Sequence, residues 1–64
     1  MTGRIKKLLK DKKIGFIRDE RGKDYFFHMS ALKNVNYDEL EEGQDVTFED
    51  AEREKGPRAE DIYV

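Results

Sequence analysis

IGFI (residues 14–17) and YFFH (residues 25–28) are two short aromatic runs that decide the fold of this 64-residue chain. Between them, residues 18–24 are all charged except for one glycine, Gly22. A charged connector that contains a glycine is typical of a hairpin. The two runs are therefore predicted to pair as neighbouring antiparallel strands.

The aromatic side chains of these strands fall into two sets, because side chains alternate between the faces of a strand. Phe16, Phe26 and His28 are predicted to share one face, while Tyr25 and Phe27 take the other. Both faces cannot be interior, and the face that carries Phe27 is the better candidate for the core. Rings gathered on an exposed face suit unpaired bases, since every base has a π-face. The pattern predicts a protein that binds single-stranded nucleic acid.

The composition limits the other possibilities. The chain has no cysteine and a single histidine, so neither a disulfide nor a zinc site is expected, and no cofactor is predicted. No apolar run is long enough for a signal peptide or a membrane span, which predicts a cytoplasmic protein without a membrane partner. No serine or cysteine nucleophile is paired with a base, and there is no glycine-rich phosphate loop. We therefore expect neither an enzyme nor a small-molecule substrate.

The charge is divided unevenly along the chain. Residues 1–33 contain ten basic and four acidic residues, whereas residues 34–64 contain three basic and eleven acidic ones. A net +6 in the first half suits a polyanion, because Lys and Arg release counterions from phosphate. A net −8 in the second half would repel phosphate and confine such a ligand to one face.

The rest of the chain reads as short strands and turns. Strands are predicted at residues 4–10, 14–18, 24–28, 46–49 and 58–64, the last with Ile62 as its core residue. A helical turn capped by Ser30 is expected at residues 30–32, and another, closed by Gly43, at residues 38–42. Residues 52–57 are expected to form a charged hairpin loop. No apolar stripe of helical period lasts three turns, so the prediction is an all-β, five-stranded antiparallel barrel.

Four segments match the motifs of a known family in order and spacing. They are KKIGFI at residues 12–17, YFFHMSAL at 25–32, LEEGQ at 40–44 and KGPRA at 55–59. Together they resemble the bacterial cold-shock proteins, whose first two motifs usually read KGFGFI and VFVHFSAI. The resemblance implies a single cold-shock-like domain over residues 1–64 with an OB-type barrel fold. The RRM, which has a similar first motif, needs helices behind its sheet that this chain lacks.

The chain departs from the family pattern at four aromatic positions. Lys7 and Leu8 stand where the family usually has Trp-Phe, and Ile14 and Met29 each replace a ring. Base stacking is worth about 1–3 kcal/mol per base, so weaker binding with a larger electrostatic share is expected.

The resemblance, combined with the strand pattern, selects the candidate binding residues. They are Lys7, Lys12, Phe16, Phe26, His28, Met29, Tyr37, Lys55 and Arg58. The aromatic residues would stack on bases and the cations would contact phosphate. Two roles stay open for Tyr37, which could stack on a base or plug the end of the barrel.

The resemblance implies an RNA chaperone or regulator of transcription or translation that binds pyrimidine-rich single-stranded RNA or DNA without ATP. We expect the chain to be a monomer. One alternative is a degenerate barrel that acts as a protein-interaction module. Another is a ribosome-associated domain that recognises folded RNA.

Overall fold

The computed structural model describes all 64 residues as five β-strands and two short 3-10 turns. The strands are β1 (Thr2–Leu9), β2 (Ile14–Asp19), β3 (Asp24–His28), β4 (Asp45–Asp50) and β5 (Ala59–Tyr63). The turns are Met29–Ala31 and Tyr37–Glu39. The predicted all-β class is confirmed. The bounds of β3 are those predicted, and the other strands begin and end within two residues of the expected positions.

The strands form one sheet in the order β3-β2-β1-β4-β5, with every neighbouring pair antiparallel. The sheet curls strongly, so that β3 approaches the segment that enters β5. There the backbone N–H of Phe26 donates to the carbonyl of Pro57 at 3.1 Å, and Phe26 and Arg58 form a parallel bridge. A second parallel bridge joins Leu32 to Ile62. These contacts make the sheet a small OB-type barrel, as the sequence predicted.

The interior is filled by the inward-facing side chains of the strands and the connecting loops. The buried apolar residues are Ile5, Ile17, Tyr25, Phe27, Ala31, Tyr37, Leu40, Val46, Phe48, Ala59 and Ile62. Tyr25 packs edge-on against Phe48 with ring centroids 4.9 Å apart, and its hydroxyl donates to Asp19 Oδ2 at 3.1 Å. Burial and the Asp19 carboxylate raise the pKa of Tyr25. The prediction that Tyr25 and Phe27 take the core face is confirmed.

The pairing of β1 with β2 is interrupted by a bulge. Ile5 lies opposite Ile17, but the next pair is Lys7 with Phe16, so Lys6 is an extra residue without a partner. An extra residue breaks strict alternation, and both lysines are exposed. The bulge thus sets which β1 residue stands beside Phe16.

The two helical turns differ from the prediction in their caps. Ser30 was expected to cap the first turn, but the cap is His28, whose Nδ1 accepts a hydrogen bond from the backbone N–H of Ser30 at 3.2 Å. The second turn spans Tyr37–Glu39 rather than residues 38–42, because the Leu40 side chain turns into the core. Gly43 lies in a separate turn with a φ of 91°. None of the helical segments has the length and apolar character that a membrane crossing requires.

Gly15 lets the Phe27 side chain of β3 pack directly on the backbone of β2. A Cβ atom at this position would lie 2.7 Å from the Phe27 ring and 2.8 Å from the carbonyl oxygen of Lys7. The absence of a side chain lets the Phe27 ring lie over the β2 backbone. The glycine is therefore required by packing, since its strand conformation needs no positive φ.

Replacing Gly15 by alanine is expected to lower the free energy of unfolding by about 1–3 kcal/mol, because the added methyl group overpacks the core against Phe27. Urea unfolding followed by circular dichroism measures the change. Gly22→Asn is the comparison variant for backbone strain without crowding, since a Cβ there meets no atom within 4 Å but the φ of 88° disfavours a side chain. A Gly15→Ala variant as stable as the parent protein would contradict the close packing at Gly15.

Candidate nucleic-acid interface

Two rows of side chains cross the outer face of β1, β2 and β3. The register places Lys7 opposite Phe16 and Phe16 opposite Phe26, which gives the first row. Leu9, Ile14 and His28 are paired in the same way and give the second row. We call the outer face formed by these two rows the platform. The predicted placement of Phe16, Phe26 and His28 on one face is confirmed.

The first row is a continuous aromatic and cationic surface. The rings of Phe16 and Phe26 meet edge to face, with centroids 5.9 Å apart and planes inclined at 70°. Arg58 extends the row beyond β3, with its guanidinium carbon 5.6 Å from the Phe26 centroid. Both phenylalanines are half-buried and neither belongs to the core. Their exposed surfaces are available to a flat ligand.

His28 is held in a fixed orientation at the end of the second row. Its Nδ1 accepts from the backbone N–H of Ser30 and lies 3.0 Å from the Ser30 hydroxyl oxygen. A nitrogen that accepts a hydrogen bond carries no proton, so the neutral ring bears its proton on Nε2. His28 therefore offers a flat ring and one N–H donor.

A groove of about 930 Å³ opens beside the first row. Phe16 and Phe26 form one side, and the hairpin loop at residues 52–58 forms the other. Arg53 and Gly56 exchange two backbone hydrogen bonds of 3.1 and 2.9 Å, which places Glu54 and Lys55 at the tip of the loop. The predicted site residues Lys55 and Arg58 are thus brought to the same groove as the two phenylalanines.

The cations near the platform divide into paired and unpaired groups. Lys6 and Arg18 both bind Asp24 at 2.9 Å, and Lys23 binds Glu52 at 2.8 Å. The lysines that make no ion pair are Lys7, Lys10, Lys12 and Lys55. Three of these four were predicted from the sequence. Lys10 was missed, although its place next to the turn with Lys12 was a usable signal.

Asp24 sits at the edge of the platform between two cations. Arg18, which also hydrogen-bonds the carboxylate, and then Lys6 hold the pKa of Asp24 below its usual value. Both carboxylate oxygens are engaged, since Arg18 Nε binds Oδ1 and Lys6 Nζ binds Oδ2. Asp24 therefore has a structural partner on each side.

Tyr37 does not lie on the platform. Its side chain is only 5% exposed, and its hydroxyl donates to the carbonyl of Ile14 at 2.6 Å. Lys13 covers the ring with its ammonium group 5.4 Å from the centroid, and the same ammonium binds Asp38 at 2.6 Å. A ring so enclosed has no free face for a base. Of the two roles left open by the sequence, plugging the barrel fits and base stacking does not.

The remaining predicted residues lie where a ligand could reach them. Lys12 is exposed in the turn between β1 and β2, and Met29 is 46% exposed at the end of β3. The backbone N–H of Met29 donates to the carbonyl of Lys13, which places Met29 next to that turn. Apart from Tyr37, the structure brings all the predicted residues to the platform or its margin.

The whole chain matches one family model. Residues 1–64 fit the model of the "'Cold-shock' DNA-binding domain". The chain belongs to the cold-shock domain family. Members of this family are nucleic-acid-binding proteins rather than enzymes.

Several cold-shock proteins of known sequence are similar to it over nearly their full length. The cold shock-like protein CspB of Bacillus cereus is 40% identical over 62 residues, which covers 97% of this chain and 95% of CspB. The cold shock protein CspD of Bacillus subtilis is 42% identical over 61 residues, or 95% and 92% of the two chains. The cold shock-like protein CspLB of Listeria monocytogenes is 43% identical with the same coverage.

Lys13 occupies the left-handed region with a φ of 57°, at the position where the cold-shock motif usually has glycine. We expect the free energy of unfolding of Lys13→Gly to be about 1 kcal/mol higher than that of Lys13→Ala. Both variants lose the contacts to Asp38 and Tyr37, but only the alanine variant keeps a Cβ atom in the strained left-handed conformation. Chemical denaturation of the two variants measures the difference. Asp38→Ala separates the contribution of the ion pair, and a Lys13→Ala variant as stable as Lys13→Gly would refute the strain.

The depressed pKa of Asp24 predicts a pH-dependent contribution to stability. The ion pairs with Arg18 and Lys6 stabilise the fold above the unfolded-state pKa of about 3.9, and this stabilisation is lost as the pH falls through the lower folded-state value. Asp24→Asn should therefore be less stable than the parent at pH 7, and the difference should shrink as the pH falls below the unfolded-state pKa. Urea unfolding across this range tests the expectation, with the more exposed Asp45→Asn as the control. A difference independent of pH would rule out the ion pairs as its cause.

Proposed function

We propose that this cold-shock domain binds single-stranded RNA or DNA by stacking bases on Phe16, Phe26 and His28. The observation that carries the proposal is the half-exposed Phe16–Phe26 pair beside lysines that have no ion-pair partner. Rings in this setting gain about 1–3 kcal/mol for each base they stack. A duplex keeps its bases stacked on each other and cannot use this surface.

Backbone contacts are assigned to the unpaired cations Lys7, Lys12 and Lys55. Binding a phosphate at these residues breaks no existing ion pair, so the full electrostatic gain is available. Lys7 stands beside Phe16, and Lys55 lies at the tip of the loop across the groove. The phosphates would then run along both margins of the stacked bases.

Arg58 and Met29 complete the site at its margins. Arg58 Nε is buried without a hydrogen-bond partner, and its nearest carboxylate oxygen, on Glu60, is 3.9 Å away. That nitrogen is closed to a ligand, but the Arg58 side chain is 34% exposed. The accessible part of the guanidinium would bind a phosphate or a base carbonyl while the group rests against Phe26. Met29 offers a flexible apolar contact at the other end of β3.

The proposed cellular role is that of an RNA chaperone or a regulator of transcription or translation. Binding that requires only stacking and phosphate contacts tolerates many sequences, with pyrimidine-rich strands preferred. A protein that binds the open strand better than the duplex shifts the equilibrium toward the open strand, and it needs no ATP to do so. We propose that the single domain, residues 1–64, acts as a monomer, and the acidic β4 and β5 would keep the strand on the platform.

Fluorescence anisotropy with a labelled dT7 strand and with a duplex of equal length tests the proposal. We expect the wild-type protein to bind the single strand in preference to the duplex. Phe16→Ala and Phe26→Ala should each weaken binding by about 5- to 150-fold, which corresponds to the loss of one stacked base. Tyr63→Ala is the matched control, because Tyr63 is an exposed ring outside the groove.

Circular dichroism must show that each variant is folded. Unchanged affinity of Phe16→Ala and Phe26→Ala would exclude the stacking role. An absence of binding at low salt would contradict the proposed function as a whole and favour a protein-interaction module.

A further inference from the structure

The platform has two chemically different ends. The rings of Phe16 and Phe26 lie beside the hairpin loop, and the ring of His28 follows on β3 in the second row. Leu9 and Ile14 occupy the side nearest the turn between β1 and β2. The difference follows from the register, because two of the three rings lie on β3 and the third, Phe16, is the β2 residue opposite Phe26.

The aromatic end is a contiguous three-ring surface. Phe26 lies opposite Phe16 across the strand pair, and His28 is the next outward-facing residue on β3. Arg58 borders the surface beyond Phe26. Each ring is held in place, since the phenylalanines pack on each other and Ser30 anchors His28. A surface of this size accommodates about three bases, one for each ring.

The aliphatic end offers no ring at all. Leu9 and Ile14 are half-buried, and the exposed Met29 lies close by because its backbone N–H donates to the carbonyl of Lys13. Of the two aromatic residues beside this end, His28 lies opposite Ile14 and belongs to the three-ring surface. The other, Tyr37, donates its hydroxyl to the carbonyl of Ile14 and has its ring enclosed. A branched or flexible aliphatic side chain lacks the flat π-surface that makes stacking favourable.

The same end carries the greater density of unpaired positive charge. Lys10 and Lys12 lie beside and within the turn between β1 and β2, and Lys7 stands one row away. Lys10 and Lys12 are exposed, and neither they nor Lys7 make an ion pair. This end can therefore hold phosphates whether or not the nucleotides carry bases.

We propose that the platform contacts the bases of a bound single-stranded nucleic acid at only three positions. The bases stack on Phe16, Phe26 and His28, and the adjoining nucleotides are bound through their phosphates alone by Lys7, Lys10 and Lys12. The ligand class is a single strand with three consecutive unstacked bases joined to a phosphate-bearing segment of any base content. The inference rests on the proposed function and specifies its footprint.

A series of seven-nucleotide DNA strands that retain from none to seven consecutive thymines, with abasic residues elsewhere, tests this division. Anisotropy at fixed salt should show affinity rising by about fivefold or more for each of the first three bases. Beyond the third base, each addition should change the affinity by less than about twofold, which is the size of the statistical gain from extra registers. The strand without bases should bind weakly and lose affinity most steeply with salt.

The double variant Ile14→Phe/Met29→Phe provides the matched gain of function. It puts rings at the aliphatic end, so its affinity should keep rising to about five retained bases. The wild-type series tests the three-base footprint on its own, without the double variant. Affinity that rises evenly to six or seven bases in the wild-type protein would overturn the three-base footprint while leaving stacking intact. Failure to bind even the full dT7 strand would overturn both the footprint and the proposed function.

Discussion

The contact between the Phe27 ring and the backbone at Gly15 is the constraint on which the rest of the structure depends. The ring can lie over β2 only because residue 15 has no side chain. This packing fixes which face of the β2–β3 hairpin is interior. Since alternate residues take opposite faces, it also sends Phe16 and Phe26 outward. The exposed aromatic pair is therefore a consequence of core packing.

The positive charge that this small barrel can offer to a ligand depends on which cations form ion pairs as well as on how many there are. Cations near the hairpins are neutralised by specific carboxylates, such as Asp24 with Arg18 and Glu52 with Lys23. Those that remain unpaired include Lys7 and Lys12, which border the platform. Exposed ion pairs add little to stability, but they determine which cations are free to meet a polyanion. Ion pairing therefore leaves free positive charge from the first half of the sequence beside the platform.

The strands and their faces could be predicted from the sequence because both depend on short-range pattern. Two aromatic runs, a charged glycine-containing connector and alternation were enough to place Phe16 and Phe27 on opposite faces. The loops were harder, because their contacts depend on distant partners. The burial of Tyr37 is decided by a hydrogen bond to Ile14, 23 residues away in sequence. The cap at Ser30 was misassigned because the turn begins at Met29, so the capping position falls on His28, whose imidazole accepts from the backbone N–H of Ser30.

The candidate site was predictable to a similar extent. The rings followed from the pattern and the family resemblance, and the structure gathers them as expected. Which lysines are free could not be read from the sequence, since ion pairs such as Lys23 with Glu52 join residues 29 positions apart. The left-handed backbone of Lys13 was not predicted, although the glycine that the cold-shock motif usually has at this position was a usable signal.

The bulge at Lys6 has a consequence for how one strand can serve two purposes. In a regular strand, two consecutive residues cannot face the same side, so a pair of adjacent lysines would drive one charge toward the core. The extra residue removes this conflict, and both side chains reach solvent. Lys6 then neutralises Asp24, which leaves Lys7 beside Phe16 with its charge uncompensated. Because of this one bulge, Lys6 is used in an ion pair within the protein, while the neighbouring Lys7 stays free to bind a ligand.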